Sequence, residues 1–132
     1  MTVVDASVVL KWLLGEPSKR AQTILEGHLD GSEPLVAPEL LNYEVGNVLA
    51  TKVGLNTRAA AELFGYFLDL NIETYSLGAE EYRSSVDMAG TYKLTVYDAS
   101  YVALALALDV NLVTADRKLA GRVSALKRVL PV

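Results

Sequence analysis

Hydrophobic positions fall into short continuous runs that alternate with longer periodic stretches. Residues 2–4, 35–37, 72–75 and 111–114 are brief apolar runs and read as strands. None alternates apolar with polar side chains. That is the pattern of parallel strands buried on both faces, with helices as crossovers. Helical periodicity and end signals predict helices over 7–14, 18–30, 38–53, 57–70, 79–92, 98–108 and 116–125. The first ends near Gly15 and Pro17, Ser18 caps the second, and Pro38 opens the third. Residues 128–130 are the candidate for an edge strand. The expected class is α/β: a three-layer α/β/α domain over 1–132 with a short-stranded, mainly parallel central sheet. Ligand sites in such sheets form beyond the carboxyl ends of the strands.

Acids occupy those ends. Asp5 directly follows Val3-Val4, Asp116 follows the run ending at Thr114, and Asp98 opens the helix over 98–108. Each also reads as a helix N-cap, a role Asp fills well, and both readings stand. The helix behind Asp98 is apolar nearly all round and therefore central, so the acid at its mouth faces the middle of the molecule. Converging carboxylates repel one another, which raises at least one pKa unless a cation intervenes.

Glu44 discriminates between these readings. Helical residues turn by about 100° each, so Leu40, Glu44 and Val48 align beside Leu41, Val45 and Leu49. Glu44 is then inside the apolar stripe, whereas Glu39 sits in the first turn, where the helix dipole favours an acid. A Glu on a buried face needs a partner. That partner is a basic side chain from elsewhere, or a cation shared with the three Asp residues. Ser7, Ser100 and Thr114 each lie two residues from one of the Asp residues. Their hydroxyls are candidates for orienting a carboxylate or a nearby water, or for bonding helix-start backbone.

Composition narrows the chemistry further. The chain has no Cys and a single histidine, His28, which reads as an ordinary surface or helix-end residue. Thiolate sites and disulfides are excluded, a Ser-His-Asp triad has little support, and no Gly-rich phosphate loop occurs. Catalysis then falls to carboxylates, and a carboxylate cluster implies a hard cation. A net charge of −4 gives no overall basic footprint. Two local clusters, Arg117-Lys118 with Arg122 and Lys127-Arg128, still offer phosphate contacts. Tyr97, Trp12 and Tyr43 are candidates for stacking on a base, or for core and interface packing. Leu63, Phe64, Tyr66 and Phe67 exceed one narrow stripe and predict exposed apolar surface. No apolar stretch nears the ~20 residues of a membrane span, and no charged segment precedes the first strand. A cytoplasmic protein is expected.

The segments Val3-Val4-Asp5-Ala6-Ser7, Pro38-Glu39-Leu40-Leu41-Asn42-Tyr43-Glu44-Val45, Tyr97-Asp98-Ala99-Ser100-Tyr101-Val102-Ala103-Leu104-Ala105 and Leu112-Val113-Thr114-Ala115-Asp116-Arg117-Lys118-Leu119 carry a resemblance. In that order they resemble the successive motifs of PIN-domain nucleases, above all the VapC toxins of bacterial and archaeal toxin–antitoxin pairs. The resemblance implies an endoribonuclease dependent on Mg²⁺, with Mn²⁺ as substitute. It places the catalytic, metal-binding acids at Asp5, Glu44, Asp98 and Asp116. It also implies a cognate antitoxin protein and a homodimer. The family's further late acid has no counterpart shortly after Asp116. Arg117, Lys118 and Arg122, on the helix behind Asp116, are the candidates for steering RNA. Two alternatives stand beside this reading. One is a non-catalytic PIN-like module that binds RNA or protein. The other is a phosphoacceptor signalling domain, which normally carries neighbouring acids where Asp5-Ala6 offers one.

Overall fold

The computed structural model describes residues 1–16 and 18–132; Pro17, expected near the end of the first helix, lies outside the described residues. In chain order the elements are β1 (Thr2–Val4), α1 (Ala6–Leu13), α2 (Lys19–Leu29), β2 (Leu35–Pro38), α3 (Leu40–Thr51), α4 (Thr57–Asp69) and β3 (Glu73–Tyr75). There follow α5 (Ala79–Tyr92), α6 (Val96–Leu108), β4 (Leu112–Thr114), α7 (Arg117–Arg122), a 3-10 turn (Ser124–Leu126) and β5 (Val129–Pro131). The expected alternation is present, and the edge strand expected over 128–130 is β5, one residue later.

Five parallel strands form one sheet in the order β3-β2-β1-β4-β5. Val3 sits beside Val36 on one side and Leu112 on the other, and all three are buried. Burial on both faces is why these strands read as unbroken apolar runs. α6 crosses β1, β2 and β4 on one face, with α5 packed against it. Residues 99–105 of α6 are all buried, as an all-round apolar helix requires. On the other face α1 is the hub, packing on α2, α3 and α4. Among the described residues no helix is long and apolar enough to cross a membrane.

Several boundaries differ from the sequence expectation. Pro38 does not open α3; it is the last residue of β2. The ladder to β3 continues through the Glu39 N–H, which donates to the Tyr75 carbonyl at 3.1 Å, so the N–H that Pro38 lacks is not needed there. Asp98 does not open α6, which starts two residues earlier with Thr95 as its N-cap. α7 stops at Arg122 instead of running to residue 125, and the chain tightens into the 3-10 turn. The apolar surface predicted on α4 is smaller than expected. Tyr66 is exposed, Leu63 and Phe64 are half-buried, and Phe67 is in the core.

His28 does more than end a helix. Its Nδ1 accepts the Leu35 N–H at 3.0 Å, which requires the proton on Nε2; Nε2 then donates to the Leu70 carbonyl at 2.7 Å. One ring thereby joins the ends of α2 and α4 to the start of β2.

Candidate active site

The sheet order reverses beside β1. The chain lays β2 and β3 on one side of β1, then returns to add β4 and β5 on the other. In an open parallel sheet the crevice beyond the carboxyl ends at such a reversal is the favoured ligand site. Asp5 leaves β1 at this point, and Thr114 and Asp116 leave β4.

Asp5 is held more firmly than a cap alone needs. It is 7% exposed. Oδ1 accepts the Ser7 hydroxyl at 2.5 Å and the Val8 N–H at 3.3 Å, and Oδ2 accepts the Thr114 hydroxyl. The two hydroxyls are fixed in turn: Ser7 Oγ accepts the Ala115 N–H at 2.8 Å, and Thr114 Oγ1 accepts the Asp116 N–H at 3.0 Å. The ends of β1 and β4 are thus tied together through one carboxylate. Burial pushes the Asp5 carboxyl up, against the lowering effect of these hydrogen bonds. Asp5 is the N-cap of α1, and the same carboxylate bridges the ends of β1 and β4.

Asp116 caps α7 through Oδ1 alone, accepting from Lys118 N at 2.9 Å and Leu119 N at 3.1 Å. Asp98 is half-buried in the first turn of α6, and its own N–H goes to the Thr95 hydroxyl at 3.0 Å. Because Thr95 caps the helix, the Asp98 carboxylate is not the cap. Its pKa is raised first by burial and then by the charge of Asp116; Thr95 and the Arg122 guanidinium act in the opposite direction.

Glu44 has a partner that was not foreseen. The Tyr101 hydroxyl donates to its Oε1 at 2.6 Å, and Glu44 forms no ion pair among the described residues. Burial raises its pKa most, the Tyr101 bond opposes this, and the charges of Asp98 and Asp5 raise it further. Its place on α3 also needs correction. Leu41, Val45 and Leu49 form the buried line, whereas Val48 is 36% exposed. Glu44 is therefore at the margin of the apolar stripe, where a carboxylate reaches the crevice without being sealed in the core.

Tyr101 is the site residue that sequence reasoning missed. In the sequence it reads as one position of the nearly all-apolar helix behind Asp98. The signal was its spacing: three residues after Asp98, it shares that acid's helix face. It is 1% exposed. Burial and the charges of Glu44, Asp5 and Asp98 push its hydroxyl far above the ordinary phenol range, so it stays protonated and keeps a hydrogen to donate to Glu44.

The remaining candidates divide. The Ser7 and Thr114 hydroxyls both donate to Asp5, so Thr114 serves the acid at the end of the neighbouring strand and not the one two residues along. Ser100 does not orient an acid: its hydroxyl donates to the Tyr97 carbonyl at 2.6 Å, the local backbone alternative. Trp12 is structural, with Nε1 donating to the Ala21 carbonyl at 2.8 Å. Arg117 and Lys118 are exposed and form no ion pair among the described residues. Arg122 is tethered to the Lys93 carbonyl at 2.7 Å. Arg128 is engaged by Asp109.

Asp5, Glu44, Asp98 and Asp116 thus form a row in which neighbouring charges repel: Asp5 with Glu44, Glu44 with Asp98, Asp98 with Asp116. Among the described residues no three acidic or imidazole groups enclose a metal position by themselves. Mg²⁺ seldom uses such a cage; it takes one or two carboxylates and fills its shell with water and substrate phosphate. An all-oxygen row eased by hydroxyl donors and by the Arg122 guanidinium near Asp98 fits a hard divalent cation.

The PIN domain family model matches residues 2–124. The chain is 38% identical over 125 residues to Ribonuclease VapC1 of Mycobacterium tuberculosis, a match covering 90% of this chain and 88% of that one. It is 34% identical over 131 residues to Ribonuclease VapC3 of Pyrobaculum aerophilum, covering 94% and 95%. The crystal structure of PAE2754 from Pyrobaculum aerophilum shares the fold, with a TM-score of 0.70 and 24% identity over 92% of this chain and 78% of that one. With its acids gathered where the strand order reverses, the chain belongs to the PIN-domain family and, within it, to the VapC group.

Proposed function

We propose that this chain is an endoribonuclease dependent on Mg²⁺ or Mn²⁺, and that it is the toxin of a type II toxin–antitoxin pair. The observation that carries the reading is the row of four carboxylates at the reversal of the sheet, three of them with raised pKa values. Relatives named as ribonucleases support RNA as the substrate. The cognate antitoxin and a homodimer are part of the same proposal.

Asp5 and Asp98 are the principal ligands of the ion, and Glu44 and Asp116 complete the site. When bound, the ion neutralises charge developing on the phosphate and lowers the pKa of water. The protein's own groups do the positioning. Ser7 and Thr114 spend their protons on Asp5, which keeps it an acceptor and fixes its direction. Tyr101 does the same for Glu44 Oε1, since a donor to the charged form favours that form. Glu44 Oε2 and Asp116 Oδ2 accept no hydrogen bond among the described residues, so either can take a proton from the attacking water. Arg117 and Lys118, next to Asp116, draw the phosphate chain inward.

In-line attack by water on phosphorus, with the P–O3′ bond breaking and the 3′-oxygen leaving with a proton, gives 5′-phosphate and 3′-hydroxyl ends. The test is incubation with mixed cellular RNAs in Mg²⁺, Mn²⁺ or EDTA, followed by mapping of the cut ends. Cutting that persists in EDTA, or ends carrying a 2′,3′-cyclic phosphate, overturns the mechanism. RNA binding without any cutting assigns the chain to the non-catalytic alternative.

A further inference from the structure

We propose that the cleft beside the acid row is a nucleobase subsite, which takes one unpaired base of single-stranded RNA next to the phosphodiester to be cut. The proposal rests on the nuclease reading and adds to it the part of the substrate that is gripped. The cleft has a volume of about 200 Å³ and lies where β2 and β3 end against the first turns of α5 and α6. Its walls include Leu40, Tyr75, Leu77, Tyr82, Val96 and Tyr97.

Position, size and chemistry converge on a base. Tyr97 immediately precedes Asp98, and Leu40 stands one helical turn before Glu44, so the cleft flanks two of the four acids. Drug-sized ligands occupy roughly 300–1,000 Å³; this smaller space suits a single ring system. The lining holds three tyrosines and no lysine or arginine, and Glu39 at the rim repels phosphate. What enters is therefore not the phosphate, and the tyrosine faces suit a planar ring. Tyr82 and Tyr97 are 56% and 63% exposed, so core packing does not account for their rings. Aromatic faces beside a phosphate-processing site are the usual platform for unpaired bases, because every base has a π-face.

The experiment uses the whole chain carrying Asp98→Asn, expected to bind without cutting, alone and combined with Tyr97→Ala or Tyr82→Ala. Each protein is titrated in Mg²⁺ with a fluorescent single-stranded RNA and with a ribose-phosphate chain of equal length that lacks bases. Tyr97→Ala is expected to weaken binding of the intact RNA roughly tenfold, the loss of about one base stack, and to leave the abasic chain unaffected. Both tyrosines are exposed, so an unchanged Tm is expected and confirms folding. Equal losses on both ligands, or no loss on either, overturn the subsite. Cleavage by the wild-type chain is scored in parallel. Cleavage with no base-dependent role for Tyr97 or Tyr82 removes the subsite and keeps the nuclease. Base-dependent binding without wild-type cleavage removes the nuclease and keeps the subsite.

Discussion

Two aspartates that look alike in the sequence are built differently, and substitution separates them. Asp5 accepts from three donors, so an amide there forces one nitrogen against a hydroxyl that is already donating. Asp98→Asn meets no such conflict, because Thr95 caps α6. Both variants should lose metal-dependent cleavage. Asp98→Asn should hold or raise the metal-free Tm, while Asp5→Asn should lower it by a few degrees, the mark of ~1 kcal/mol in a domain of this size. A fully active Asp98→Asn removes that acid from the mechanism. Tyr101→Phe tests the group that was overlooked. Charge-assisted hydrogen bonds are worth about 1.5–3 kcal/mol, so its loss should cut kcat about tenfold or more and move the acidic limb of the rate profile to higher pH. An unchanged profile would make Tyr101 a packing residue. Titration of the row gives a further expectation. In the folded chain Asp5, Glu44 and Asp98 keep their protons to higher pH than in the unfolded chain, where carboxyls titrate near pH 4. The native state therefore binds more protons above that point, and stability falls as pH rises through the raised values. Metal-free Tm should decline from about pH 4 toward neutrality, and Mg²⁺ should restore it at the upper end. A Tm that climbs over this window would mean the acids are already neutralised by other groups.

At the scale of elements, the fold was legible because periodicity and burial agree. The apolar runs of β1, β2 and β4 became the centre of a parallel sheet, with the more polar β3 at its edge, and the Ala/Leu run became the central helix. The errors share one physical origin: end signals are local, whereas ends are settled by tertiary pairing. Pro38 has the chemistry of a helix start, yet β3 recruits it into β2. Thr95-x-x-Asp98 is itself a helix-start pattern, though the apolar periodicity becomes unbroken only after Asp98. Asp5, Asp98 and Asp116 could be picked from strand ends and helix mouths, and Glu44 from its face. Tyr101 could not be read as a partner of Glu44, because the two residues lie on different helices and 57 positions apart in sequence. The same applies to His28, whose two bonds reach across 7 and 42 residues. His28→Ala leaves the Leu35 N–H and the Leu70 carbonyl without partners, each costing about 1–3 kcal/mol if water cannot reach it. Chemical denaturation should show a loss of that order with cleavage retained below the new midpoint. A neutral result would mean water replaces the ring.

At the scale of the whole molecule, the crevice at the sheet reversal brings opposed demands together. The row of acids needs a positive charge, and a metal ion is one way to supply it. A partner's guanidinium is another, since its fork of donors can pair with two carboxylates at once. A nuclease that acts on its host's RNA needs restraint, and a cognate antitoxin that places an arginine into the row would provide it. Glu44 Oε2 and Asp116 Oδ2 are open to such a donor among the described residues. Because arginine and Mg²⁺ then compete for the same oxygens, inhibition by an antitoxin peptide carrying that arginine should weaken as Mg²⁺ or Mn²⁺ is raised. The apparent inhibition constant should increase in proportion to metal concentration once the site is saturable, and replacing the arginine by lysine should forfeit the two-carboxylate grip. The measurement is a set of cleavage rates over a grid of peptide and metal concentrations. Inhibition that does not respond to metal would place the partner over the RNA path, with the acid row left free.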